Sequence, residues 1–451
     1  MCKCGYISTA SAAITAPTEG EGERLRITEE ALEVVKHYPL CDHCLGSLFA
    51  RLGKGLGNEH RGEAIRRVII MELDRMVREG EIKKEEAEKI MSNFDSDEVE
   101  ELAKNMGYSV RRRSCYVCGG KWRELVEEWS KKVVDALKEY EFDTFLVGCS
   151  DCGGMVERQR EIISAFRLPY AESVKNSLKR EVGKRVKELL GKEPDFEDPH
   201  VVAIMNLRED KVDLQIKPVF IYGIYKKKAR NVSQSEWKYP YSVERAVRKA
   251  LSPFGGEVVL HASGREDVDV RALGTGRPFV AEVKRPKRRR LPVEGSEYED
   301  ELVWLRFERY VNRDWVQRVK GDESKKEKVY LALVYVPEGV DEGDLRALEE
   351  FFEDVTIKQR TPKRVLHRRA DVVRERKVYW VKARKLNDKS FEALIKAQGG
   401  LYIKELVSGD EGRTEPSFSS FLGKEATCAS LDVVWVSLPQ AELRGGGEER
   451  G

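Results

Sequence analysis

Apolar positions recur at intervals of three and four through the first third of the chain, and helices are expected there. One ends at Tyr38 and opens at Thr28 as its N-cap, with Glu29 and Glu30 in the first turn. Residues 62–78 and 83–91 keep the same spacing, and 126–140 forms an amphipathic helix. Glycines across 54–62 mark a loop. The period then shortens. Residues 144–148, 200–206, 211–216 and 219–225 read as strands around a basic helix at 171–190, which suits a compact α/β module. The rest is richer in strands: 257–261, 279–284, 329–336, 354–363, 377–382, 402–406 and 431–438, with helices at 243–251 and 345–352. Residues 1–24 and 441–451 lack periodicity and read as a disordered lead and tail. The expected divisions are thus 25–140 helical, 141–238 α/β and 239–440 strand-rich, an α+β chain without repeats.

The segment 263–279, SGREDVDVRALGTGRPF, carries the most chemistry. A turn at Gly264 delivers Arg265, Glu266 and Asp267. Val268 and Val270 then alternate with Asp267, Asp269 and Arg271, as on a half-buried strand with carboxylates on one face. Acids on a rigid element beside a permissive turn suit a catalytic site, where the reacting group must be held still. A polar edge strand with solvated acids is the plainer reading of the alternation alone.

Composition narrows the class. At 451 residues the chain suggests two to four domains, and 81 basic against 79 acidic residues leave a net charge of +2. A polyanion partner must therefore be met by local basic patches. The cluster from Lys284 to Arg290, KRPKRRR, is one such patch. The run from Tyr225 to Arg230 followed by Trp237, Tyr239 and Tyr241 interleaves cations with aromatic rings, as nucleic-acid sites do. No apolar run reaches the length of a membrane span and no apolar signal core opens the chain, so a soluble, cytoplasmic protein is expected.

Of nine cysteines, eight sit in close pairs: Cys2/Cys4, Cys41/Cys44, Cys115/Cys118 and Cys149/Cys152. In a reducing compartment C-x-x-C points to metal, and two such knuckles complete a tetrahedral, structural zinc site without an open position. Cys41/Cys44 and Cys115/Cys118 look most like its halves. Cys149/Cys152 is left over: a spare, part of a second site with Cys2/Cys4, or the true partner of Cys41/Cys44.

With these residues in view, the chain from Leu32 to Val436 resembles the tenth family of tRNA pseudouridine synthases in its archaeal form. The resemblance rests on YPLCDHCLG at 38–46, FIYG at 220–223, the 263–279 segment, YIKE at 402–405 and GRTEPS at 412–417. It implies an N-terminal zinc-containing helical segment, an α/β RNA-binding domain of THUMP type, and a C-terminal pseudouridine synthase domain. That last domain would have a mixed, mainly antiparallel sheet flanked by helices. It implies Asp267 as the catalytic aspartate, with Asp269 as the alternative. It implies Arg265 as the residue that displaces the target base and Tyr330 as the ring that stacks on it. Lys404 becomes the basic partner of the aspartate, with Tyr402 and Ile403 beside it, and Leu431 closes the pocket. Leu331 stands where the family commonly has Arg. Cys41, Cys44, Cys115 and Cys118 match the family's zinc ligands, whereas Cys149/Cys152 departs from its pattern. The substrate implied is tRNA, at uridines 54 and 55 of the TΨC arm, and the state a monomer.

The chemistry agrees. Isomerising uridine breaks a C–N glycosidic bond and remakes it through carbon, which requires no organic cofactor. The base must leave its stack, and an aromatic side chain replaces the stacking it loses. Two rivals stand beside this reading. A methyltransferase or thiolating tRNA modifier would need a cofactor loop or a reactive cysteine. A non-catalytic RNA-binding protein would have no use for Asp267, Tyr330 and Lys404 together.

Overall fold

A computed structural model of the chain describes residues 26–236, 239–321, 326–367 and 369–437. The expected disordered lead and tail, Cys2/Cys4 and Trp237 lie outside the described residues.

The helices come first. α1 (Ile27–His37) is capped by Arg26, two residues before the expected Thr28, because the Glu29 carboxylate reaches back to the Arg26 N–H at 2.7 Å. α2 (Asp42–Ser47) packs on α3 (Asn58–Arg78), which starts four residues earlier than expected. A Cβ on Gly62 would lie 1.8 Å from the Asp42 carbonyl oxygen, so this glycine serves a close helix approach and not a loop. α4 (Lys84–Met91), α5 (Asp97–Asn105) and α6 (Trp122–Leu137) complete the series. His43 is buried, stacked on Trp122 at 3.8 Å.

β1 (Thr144–Asp151), α7 (Met155–Phe166), α8 (Val174–Leu190), β2 (Glu193–Pro194), β3 (Val201–Asn206) and β4 (Lys211–Ile216) follow. Their four strands form a sheet in the order β2-β1-β3-β4, with β1 and β2 parallel.

The remaining elements are β5 (Val219–Lys227), α9 (Val243–Ala250), β6 (Glu257–Ala262), β7 (Arg271–Lys284), β8 (Glu297–Glu299), β9 (Val303–Val311), α10 (Asp314–Lys320), β10 (Glu327–Tyr335), α11 (Glu342–Phe351), β11 (Val355–Arg360), β12 (Val373–Asn387), β13 (Ser390–Gln398), α12 (Ile403–Ser408), β14 (Thr414–Glu415), α13 (Phe418–Leu422) and β15 (Thr427–Val436). They build an eleven-stranded sheet in the order β14-β11-β12-β13-β10-β15-β7-β5-β9-β8, with β6 paired to β7. Each described pairing is antiparallel except β7 with β15, so the sheet is mixed and mainly antiparallel, as the α+β reading expected. Gly274 permits the parallel contact: at φ +54° a Cβ there would lie 1.7 Å from the Val434 carbonyl oxygen.

Several expectations change here. β5, which the spacing assigns to the α/β module, lies inside the larger sheet between β7 and β9. Its residues 219–223 are buried on both faces, as a central strand requires. Residues 403–406 form the first turn of α12, capped by Tyr402, and not a strand; a short apolar run carries no period that separates the two. Residues 267–270 are a turn, closed by Val270 N–H to the Asp267 carbonyl at 3.1 Å, and the strand begins only at Arg271. The basic cluster is tied down by carboxylates. Glu141 accepts the N–H groups of Arg289 and Arg290, and Lys287 pairs with Glu139 at 2.6 Å.

Two compact units emerge. One holds the described residues up to Asp135 with Val147–Gly191 and Ala203–Asp213; the other holds Ala136–Leu146, Lys192–Val202 and the described residues from Leu214 on. In the second unit Phe352, Phe391 and Phe418 centre the core under β10–β13. Among the described residues no helix is long and apolar enough to cross a membrane.

Candidate active site and a four-cysteine group

Strand order brings the chemistry together. β15 lies between β10 and β7, so Tyr330 on β10 sits opposite Val433, two pairs from Leu431 opposite Ala332. On the other side of β15, Asp432 is in register with Arg271, the first residue after the 263–270 loop. A cavity of about 480 Å³ opens there, and Arg265, Asp267, Tyr330, Tyr402, Ile403, Lys404 and Leu431 all line it. Asp269, the alternative aspartate, does not.

The Asp267 carboxylate is half-buried and meets two cations. Arg364 Nη1 stands 2.7 Å from Oδ2 and Lys404 Nζ 3.8 Å. Lys404 is closer to Asp269, donating to it at 2.6 Å. Burial works against ionisation of Asp269, yet this hydrogen bond holds its carboxyl below the usual value. Arg364 was not singled out in the sequence. It lies on a single helical turn, Lys363–Val365, and is pinned from behind by the buried Glu405 at 2.6 Å. Burial would lower its pKa, but Glu405 and Asp267 together raise it. Its guanidinium lies 5.8 Å from the centre of the Tyr402 ring, whose hydroxyl accepts from Arg369 at 3.0 Å. The Gln359 amide fixes the Tyr402 backbone, accepting its N–H and donating to its carbonyl.

The loop that carries Asp267 is held from below by buried charge. Lys227 donates to the carbonyls of Val232, Asp267 and Val268 at 3.0, 2.9 and 3.2 Å. Glu266 is buried beside it, 2.8 Å from Arg277 Nε and 3.7 Å from Lys227. The Tyr225 hydroxyl donates to Glu266, and Gln234 ties that hydroxyl to the Gly264 carbonyl. The side chains one position either side of Glu266 can therefore face solvent while the loop stays fixed. Lys227→Met would leave those carbonyls without their ammonium and Glu266 short of a counter-charge. We expect it to lower stability by about 3–5 kcal/mol, measured by urea unfolding.

A second ionic knot joins this loop to Leu431. Arg230 donates to the carbonyls of Asp269 and Leu431 and to Asp432 Oδ1 at 2.8 Å, and Arg271 Nε meets the same oxygen at 2.9 Å. Burial raises the Asp432 pKa, but Arg271 and Arg230 more than offset it and hold the carboxyl below its usual value. Such a group adds stability above its unfolded pKa of about 3.9 and loses it as pH falls through the folded value. Asp432→Asn should therefore lower stability by about 1–3 kcal/mol at neutral pH. The difference from the wild type should shrink below pH ~4, which paired urea melts at neutral and acid pH would register.

The other unit holds the cysteines. Cys41 caps α2 and Cys44 lies within it. Cys115 and Cys118 close a turn through Gly119 N–H to the Cys115 carbonyl at 2.8 Å, and Asp95 anchors the Cys115 N–H at 2.7 Å. The four sulfurs lie within 4.8 Å of one another, with Cys41 and Cys118 at 3.6 Å. Tetrahedral ligands at about 2.3 Å from one ion would sit about 3.8 Å apart, so this group can hold a metal ion.

Comparisons with known proteins give the family. A family model described as "Pus10, C-terminal" matches residues 220–437, and one described as "Pus10 THUMP domain, archaeal" matches 129–206. The curated tRNA pseudouridine synthase Pus10 of Ignisphaera aggregans is 39% identical over 429 residues, spanning 91% of this chain and 99% of its own length. That of Aeropyrum pernix is 42% identical over 429 residues, spanning 91% and 97%. The chain belongs to the Pus10 family of tRNA pseudouridine synthases. It is therefore an isomerase, and the C-terminal model covers the whole wall of the cavity. The first matched residue of that model, Phe220, lies on β5, the strand that sits in the large sheet.

Proposed function

We propose that this protein isomerises uridine to pseudouridine in the TΨC arm of tRNA, at positions 54 and 55, with Asp267 as the catalytic aspartate. The observation that carries the proposal is the Asp267 carboxylate, set in the cavity wall between Arg364 and Lys404. The reaction requires a carboxylate held in place, whether Asp267 attacks the sugar or takes a proton from it, and both cations stand within ion-pair distance of it. The N1–C1′ bond breaks, the base turns, the C5–C1′ bond forms, and the hydrogen on C5 leaves to solvent while N1 gains one.

Each lining residue has a part. Tyr330 presents a ring to the flipped base, supplying stacking it loses in the arm. Arg265, exposed on the loop, displaces the base. Tyr402, Ile403 and Leu431 close the pocket, and Lys404 bridges Asp267 and Asp269. Arg369, Arg374 and Arg376 also line the cavity, where they meet the phosphates flanking the flipped nucleotide. The large sheet from β5 onward forms the catalytic domain, the α/β module before it the RNA-binding domain, and residues 25–140 a helical segment built on structural zinc. Four thiolates with no open position suit zinc, which neutralises their charge and cross-links the two knuckles.

The target is tested by carbodiimide mapping of an unmodified tRNA transcript after incubation with the protein. Reverse transcription should stop one nucleotide 3′ of each modified base, at positions 55 and 56. Stops elsewhere would overturn the target assignment, and none at all would favour an RNA-binding protein without isomerase activity on this substrate.

A further inference from the structure

Cys149 and Cys152 take no part in the cavity or in the four-cysteine group. Cys149 lies near the end of β1, and Cys152 lies in the turn before α7. Both are buried, both are free, and their sulfurs are 2.6 Å apart. The turn that joins them is firmly built. Asp151 accepts the Gly153 N–H at 2.8 Å, gives its carbonyl to the Leu207 N–H at 2.9 Å, and pairs with Arg208 at 3.0 Å. Backbone structure thus presses the two thiols together. Among the described residues, no third or fourth metal-ligating group completes a site around them.

We propose that Cys149 and Cys152 are a redox-active dithiol that closes to a disulfide when a hydroperoxide reaches it. The pair is polarised. Hydrogen bonding from Cys152 and the charges of Lys175 and Lys179 favour the Cys149 thiolate, while the same hydrogen bond and burial push the Cys152 thiol up. Cys149 is therefore the attacking sulfur. Its thiolate displaces hydroxide from the O–O bond, giving a sulfenic acid and, once protonated, water from hydrogen peroxide. The Cys152 sulfur attacks the Cys149 sulfur and expels a second water. Two thiols and one peroxide become one disulfide and two waters, and a dithiol reductant reverses the change. The disulfide ties the end of β1 to the start of α7, inside the segment matched by the THUMP model.

The test uses the full-length, metal-loaded protein treated with stoichiometric hydrogen peroxide, then denatured, alkylated and mapped by mass spectrometry. The peptide spanning Cys149 and Cys152 should lose both alkyl groups and weigh two hydrogens less, and should revert with dithiothreitol. Cys152→Ser should accumulate a sulfenic acid at Cys149 that a 1,3-diketone traps. Cys149→Ser should leave Cys152 alkylated. Full alkylation of both cysteines after peroxide treatment would overturn the proposal. So would sulfenic acid forming on Cys152 in Cys149→Ser, or a disulfide that joins either cysteine to the four-cysteine group instead.

Discussion

Asp267→Asn is expected to lower turnover on tRNA by a factor on the order of 10⁴ or more, with tRNA affinity changed by no more than about twofold. The amide keeps the shape of the side chain and removes its charge, so the loop should fold as before. Lys227, Glu266 and Arg277 hold that loop through backbone carbonyls and through one another, and none of these contacts uses the Asp267 carboxylate. Arg364 keeps Glu405. What disappears is the carboxylate charge that the proposed reaction uses. Affinity should survive because phosphate contacts dominate RNA binding. Pseudouridine yield by nucleoside mass spectrometry and tRNA binding by filter retention separate the two effects. Full activity in this variant, with loss in Asp269→Asn, would move the role to the neighbouring aspartate.

The second large effect concerns the four cysteines. The purified protein should carry about one zinc per chain, and Cys115→Ser should carry much less. Structural zinc is worth about 10–16 kcal/mol in peptides that have no other core. Here the same unit also buries Phe49, Leu73 and Phe94, so metal loss should destabilise the unit by several kcal/mol without unfolding the whole chain. A chelator titration followed by circular dichroism should show an early transition that wild type regains on adding zinc. A zinc content near zero in the untreated protein, or an unchanged melt after chelation, would remove the metal from the account.

How much of this was legible in the sequence depends on the range of each interaction. The C-x-x-C spacing and the helical periods are local, and they place α1, α3, α4 and α6 within a few residues. β13 is not legible in the sequence although Phe391, Ala393, Ile395 and Ala397 alternate inward; the mixed charges of the outer face hide the signal. The 267–271 alternation was real but belonged to a turn, because Lys227 captures its carbonyls before a ladder can form. Nothing within 30 residues of the loop announces that lysine. Arg364 is the clearest case: it lies almost a hundred positions from Asp267, and only the meeting of the 363–365 turn, α12 and the loop makes it a partner. The motif residues were readable one at a time, whereas the ion pairs that hold them exist only in the fold.

The central claim is that the Asp267 cavity performs the isomerisation. An unmodified tRNA transcript labelled with tritium at uridine C5, incubated with wild type and with Asp267→Ala in parallel, tests it most directly. Bonding C5 to the sugar expels its tritium to water. The account predicts release by wild type alone, with both proteins binding the transcript. Release by Asp267→Ala at the wild-type rate, or none from wild type bound to the transcript, would contradict it.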